Sequence, residues 1–240
     1  MQTKTLEYRD SATTCVGYLA YDERADGKRP GVVLFPEATG INERLMERAR
    51  RLGELGYVAL AADPYGNGAQ ASDLAQALAM MNGVRSDSGR WRARARAALD
   101  ALTAQVNVDP ARCAAIGYCF GGSTSLELAR SGAALAAVVS FHGGLESPKP
   151  EDAANIKAKV LVCHGADDPL VPPAQVAAFE EQMRKTKVDW QVHIYGGALH
   201  SFTNPDADKV GNPAAFAYNA AADRRSWNAM LELFGETFGI

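Results

Sequence analysis

Cysteine is scarce in this chain, and the few present are not paired. Cys15, Cys113, Cys119 and Cys163 are the only four in 240 residues, and no two have CxxC spacing. This excludes a disulfide framework and a zinc-ribbon type of site, and it fits reduced thiols in the cytoplasm. Long apolar runs are also missing. None approaches the roughly 20 residues needed to cross a bilayer, so no membrane partner is expected. Met1-Gln2-Thr3-Lys4-Thr5 contains no apolar stretch of the secretory-signal kind. Positive charge is not in excess: 25 Lys and Arg face 28 Asp and Glu, a formal net charge of −3. That argues against nucleic acid as a partner. No internal repeat, low-complexity tract or long linker divides the chain, so a single domain over residues 1–240 is expected.

Hydrophobic residues make up 47% of the sequence, enough for a full core, and their pattern reads as alternating strands and helices. Leu6–Arg9 and Cys15–Tyr21 suit an antiparallel hairpin at a sheet edge. After a turn at Asp26–Pro30, the runs Gly31–Phe35, Tyr57–Ala61, Arg112–Tyr118, Ala136–Phe141, Val160–His164 and Trp190–Tyr195 read as strands, several of them covered on both faces. Helices are predicted from an Asn42 N-cap to about Leu55, and at Ala71–Met81, Ser88–Ala104, Ser123–Arg130, Pro173–Lys185 and about Pro213–Phe234. Asn82-Gly83 separates the second from the third. Arg90, Arg92, Arg94 and Arg96 read as a solvated helix face. This alternation predicts an α/β fold with a mostly parallel central sheet and helices on both faces. Ligands of such sheets sit beyond the carboxyl ends of the strands.

Four notable stretches fall at those ends. Gly117-Tyr118-Cys119-Phe120-Gly121-Gly122, between a strand and a helix, has the form of a nucleophile elbow with Cys where Ser is usual. A Cβ at Gly117 or Gly121 would crowd the neighbouring backbone. Asp168 and His200 follow later strands, giving the order nucleophile, acid, base. Asp167 competes with Asp168, but Asp168 precedes Pro169 and is favoured. His142 is the main rival of His200, which lies in the glycine-rich loop after the last strand. His164 reads as a hydrogen-bonded core residue and His193 as a packed or surface residue. A metal site from His142, His164, Asp168 and His200 ranks low, because no local ligand spacing supports it. The backbone N–H groups of Phe120 and Ala38 are the expected oxyanion donors. Glu37 stands beside the oxyanion loop, where a carboxylate needs a partner.

Phe35-Pro36-Glu37, Ala62-Asp63-Pro64-Tyr65, the elbow hexapeptide, Gly165-Ala166-Asp167-Asp168-Pro169 and Gly197-Ala198-Leu199-His200-Ser201-Phe202 together span nearly the whole chain. In that combination and order the sequence resembles the dienelactone hydrolase family of α/β-hydrolases. The resemblance implies an α/β-hydrolase fold and a hydrolase of esters or lactones, with a general carboxylesterase or thioesterase as the alternative. A catalytically silent binding protein is the reading from another class. The resemblance maps the family's triad onto Cys119, Asp168 and His200, and its active-site glutamate onto Glu37, which takes the thiol proton once substrate displaces it. No cofactor or metal is implied, and the partner is a small-molecule ester or lactone bound by a monomer or dimer. The family's substrate-binding arginine after the catalytic His has no counterpart in Ser201-Phe202-Thr203-Asn204. Arg85, Tyr118, Asn204 and Phe202 are the substrate-binding candidates. Met80–Trp91 reads equally as part of a lid or as ordinary helix packing.

Overall fold

The computed structural model describes residues 1–24 and 27–239. The strands are β1 (Gln2–Asp10), β2 (Thr13–Tyr21), β3 (Arg29–Phe35), β4 (Val58–Ala61), β5 (Val108–Tyr118), β6 (Ala137–Phe141), β7 (Lys159–Gly165) and β8 (Trp190–Tyr195). They form one sheet in the order β1-β2-β4-β3-β5-β6-β7-β8. The β1–β2 hairpin and the β2–β4 pairing are antiparallel, and every pairing from β4 to β8 is parallel. The helices are α1 (Glu43–Glu54), α2 (Leu74–Arg85), α3 (Ser88–Thr103), α4 (Phe120–Arg130), α5 (Pro173–Arg184) and α6 (Ala220–Phe238).

The strands are apolar on both sides because each side is covered by helices. Side chains alternate between faces with a period of two. Val33 and Phe35, Cys113 and Ala115, Val138, and Val160 and Val162 join the core under α3, α4 and α5. Val32 and Leu34, Ile116 and Tyr118, Val139 and Phe141, and Leu161 and Cys163 join the core under α1 and α6. Cys15, Cys113 and Cys163 are free, buried thiols inside strands. No helix among the described residues is long and apolar enough to cross a membrane.

Several expected boundaries move, each for a local reason. The turn expected at Asp26–Pro30 starts at Asp26, outside the described residues, and Arg29 and Pro30 already belong to β3. Asn82-Gly83 lies inside α2; the break comes at Asp87, whose carboxylate accepts from the Gly89 and Arg90 amides and caps α3. The last helix begins at Ala220, not Pro213, because Phe216 pairs with His200 in a short bridge and Asn219 caps the helix. The arginine face of α3 is only partly solvated. Arg94 is buried against Asp10 at 2.8 Å, and Arg92 pairs with Glu127 of α4 at 2.8 Å.

Candidate active site

Cys119 occupies the single residue between β5 and α4. Its backbone is held at φ 53°, ψ −116°, a left-handed conformation that non-glycine residues avoid. The flanking glycines make this turn possible. A Cβ on Gly117 would overlap the Gly121 carbonyl, and one on Gly121 would overlap the Phe35 carbonyl. The Cys119 amide donates to Phe141 O at 3.0 Å and to Nδ1 of His142 at 3.1 Å. Because Nδ1 accepts, the His142 proton is on Nε2, which donates to Thr203 Oγ1 at 2.9 Å. Thr203 is in turn held by Arg48 through its hydroxyl, at 2.9 Å, and its carbonyl, at 2.7 Å. Burial pushes the His142 imidazole well down, and the nearby His200 and Arg48 add to the effect, so the ring stays neutral. His142, the sequence rival of His200, is thus a strut behind Cys119.

His200 Nδ1 donates to Asp168 Oδ2 at 2.7 Å, with both side chains buried. The other carboxylate oxygen of Asp168 accepts from the Leu170 and Val171 amides at 2.8 and 3.3 Å. One aspartate therefore both caps its loop and orients the imidazole, while Asp167 is exposed. The ring of His200 stands edge-on between His142, at 5.3 Å, and Phe216, at 5.4 Å. Its Nε2 is buried without a hydrogen-bond partner. Burial alone would push this imidazole down. An ionised Cys119 sulfur facing it and the Asp168 carboxylate outweigh burial and raise it to about 10, so the ring serves as a base when that sulfur is uncharged, as thiol or thioester. A base oriented by a carboxylate, with a free nitrogen beside a thiol, can move a proton to or from sulfur or from water.

The amides of Phe120 and Ala38 donate to no acceptor among the described residues, and both residues border the cavity that Cys119 enters. Tyr65 ties the two together: its ring stacks on Phe120 at 6.1 Å and its hydroxyl donates to Ala38 O at 2.7 Å. Asp63 fixes that loop by accepting from the Val16, Tyr65, Gly66 and Gly68 amides. Glu37 Oε2 accepts from the Asn204 side-chain amide at 3.0 Å, and Oε1 is buried without a partner.

These groups meet at a cavity of about 970 Å³, which Cys119, His200, Glu37, Asn204 and Arg85 all border. Two expected contacts do not reach it. Tyr118 is stacked on Phe141 at 4.6 Å with the Arg48 guanidinium over its other side at 3.6 Å, because strand alternation turns it to the α1 face. Phe202 is wholly buried and packs on His142 and Tyr195 at 5.2 and 5.5 Å. His164 is buried as expected, but its Nδ1 has no hydrogen-bond partner. No group of three or more His, Cys, Asp or Glu among the described residues is placed to hold a metal ion. His142, Thr203 and Tyr65 are the positioning residues that sequence reading missed. Their only signals were the strand end at His142 and the Asp63-Pro64-Tyr65 loop.

The parallel sheet, the strained elbow and the strand-end acid and histidine define an α/β-hydrolase. The chain belongs to the dienelactone hydrolase family, whose sequence pattern matches residues 16–238. It is accordingly a dienelactone hydrolase-like hydrolase. A crystal structure described as a dienelactone hydrolase-like promiscuous phosphotriesterase from metagenomic libraries is 52% identical, covers 98% of each chain and superposes with a TM-score of 0.94. A Bradyrhizobium protein named "Probable 2-oxo-3-(5-oxofuran-2-ylidene)propanoate lactonase" is 28% identical over 96% of this chain and 94% of its own. An uncharacterised Caenorhabditis elegans protein is 36% identical over 63% of this chain and 96% of its own.

Proposed function

We propose that the protein cleaves a small-molecule ester or lactone through a thioester acyl-enzyme, with Cys119 as nucleophile, His200 as base and Asp168 as the orienting acid. The observation that carries this reading is the 2.7 Å Asp168–His200 bond, which leaves a buried, unpartnered Nε2 beside the cysteine. Substrate enters the cavity and its carbonyl oxygen meets the Phe120 and Ala38 amides. The thiol proton passes to Glu37 Oε1, held toward the site by Asn204, and the sulfur attacks the carbonyl carbon. Collapse of the tetrahedral intermediate expels the alcohol, which takes up that proton. His200 then deprotonates a water that attacks the thioester and releases the acid and the thiol. Base catalysis of this kind contributes about 10²–10⁴-fold, and one oxyanion donor about 2.7–4 kcal/mol.

A second reading has specific support: hydrolysis of uncharged phosphotriesters, the activity in the description of the metagenomic relative. The same sulfur would then attack phosphorus and expel one alcohol, and water would cleave the S–P bond to release the phosphodiester and the thiol.

Iodoacetamide labelling followed by p-nitrophenyl acetate turnover tests the proposal. Stoichiometric labelling at Cys119 abolishes turnover, Cys119→Ala has none, and Glu37→Gln slows it at least tenfold. Undiminished hydrolysis by the labelled protein or by Cys119→Ala would overturn the reading. Wild-type turnover in Glu37→Gln would remove Glu37 from it.

A further inference from the structure

Helix α2 carries an apolar stripe that the described residues leave largely uncovered. Leu74, Ala77, Leu78 and Met81 are spaced i, i+3, i+4 and i+7, the spacing of one helical face, and Arg85 continues that face. Such a stripe ordinarily docks on a core. Here only Ala77 is buried, while Leu74 and Leu78 remain 44% and 43% exposed. All five residues border the cavity that holds Cys119 and His200. The stripe from Leu74 to Met81 rises about 10 Å along the helix, so the wall is elongated. Leu170 borders the same space.

The charges around the cavity point the same way. Arg44 and Lys209 both pair with Asp206, at 2.5 and 2.8 Å, and Arg85 lies over the Trp91 ring at 5.5 Å. Asn204, near the catalytic histidine, is bonded to the Glu37 carboxylate at 3.0 Å. Carboxylates border the cavity at Glu37, Glu43, Glu47 and Asp73 as well. With Asp206 the lining holds five carboxylates against the three cations Arg44, Arg85 and Lys209, of which Arg85 alone is unpaired among the described residues, so the net charge opposes an anionic substrate.

We infer that the site takes uncharged esters bearing an extended apolar group, and that this group lies along the Leu74–Met81 face of α2. The inference rests on the hydrolase reading above and names its substrate class. Water leaving both surfaces supplies the affinity, and a fully buried methylene changes binding about fourfold.

Two series of uncharged substrates test it: p-nitrophenyl esters from acetate to octanoate, and acetate esters of alcohols of matching length. In at least one series kcat/KM rises by about twofold or more per added methylene. The p-nitrophenyl monoester of suberic acid, equal in length to the octanoate but anionic, is cleaved at least tenfold more slowly than the octanoate. Leu78→Asp flattens the length dependence, whereas Val106→Asp, at an exposed position remote from the cavity, keeps it. Calorimetric binding of methyl alkyl ketones, which are not hydrolysed, separates the two ideas. Length-dependent ketone binding without any ester cleavage would sink the hydrolase reading and leave the apolar face standing. A flat profile in both substrate series with active enzyme, a wild-type slope in Leu78→Asp, or faster cleavage of the anionic ester would overturn the inference.

Discussion

Helix α4, which follows Cys119, is buried at every position from Phe120 to Arg130, whereas α2, bordering the same cavity, buries Ala77 alone. The first is locked by charge as well as packing. Glu127 is fully buried between Arg92, at 2.8 Å, and Arg130, at 3.0 Å. Removing one partner of such a group costs about 3–5 kcal/mol. The φ of +53° at Cys119 is tolerated because this surrounding structure overdetermines it. The second helix is held mainly by its neighbour α3 and leaves its apolar stripe facing open space. The contrast separates two tasks. The buried side fixes where the Cys119 sulfur, the His200 imidazole and the Phe120 amide stand, and the open side sets what fits against them.

If that division is right, changes on the buried side act on kcat, and changes on α2 act on the choice of substrate. Among changes that leave Cys119 in place, the largest effect is expected from Asp168→Asn, which keeps the shape but disturbs the His200 tautomer. Turnover falls about 10²–10⁴-fold while the circular dichroism spectrum is retained. A loss of less than tenfold in steady-state kinetics would break the comparison on its catalytic side.

The effect on stability is smaller and depends on pH. Burial holds both His142 and His164 below the ordinary imidazole range. Their folded-state values are depressed, so the unfolded chain binds protons first as pH falls. The stabilisation is present above roughly pH 6.5 and is lost on acidification. Between pH 6.5 and 5 the unfolding free energy from urea titration therefore drops, by up to about 1.4 kcal/mol per pH unit for each histidine. In His142→Asn, where Asn tolerates the positive φ of 41°, the drop is shallower. An identical slope in that variant would show that His142 does not contribute.

The order of elements was legible because the parallel strands carry apolar runs closed by loops with glycine, proline or aspartate, whereas the polar edge strand β1 showed only at Leu6–Arg9. The triad candidates were legible because Cys119, Asp168 and His200 all follow strands. What sequence could not show was which way neighbouring side chains turn. Tyr118 stands next to Cys119 in the chain, yet the period of two places it on the α1 face of the sheet. Phe202 lies two residues beyond His200 and points into the core under α6. His142 looked like a competing base, and only the fold brings its Nδ1 to the Cys119 amide. The apolar positions of α2 carried the ordinary helical pattern. That they face a cavity and not the core depends on packing of residues far apart in sequence.

The central claim is a covalent bond at Cys119, and rapid acid quench followed by peptide mass spectrometry reads it directly. During p-nitrophenyl acetate turnover the account predicts one acetyl group on the peptide carrying Cys119, formed and lost at rates compatible with kcat. Continued turnover with no adduct on that peptide, or with the acetyl group on another residue at those rates, would contradict it.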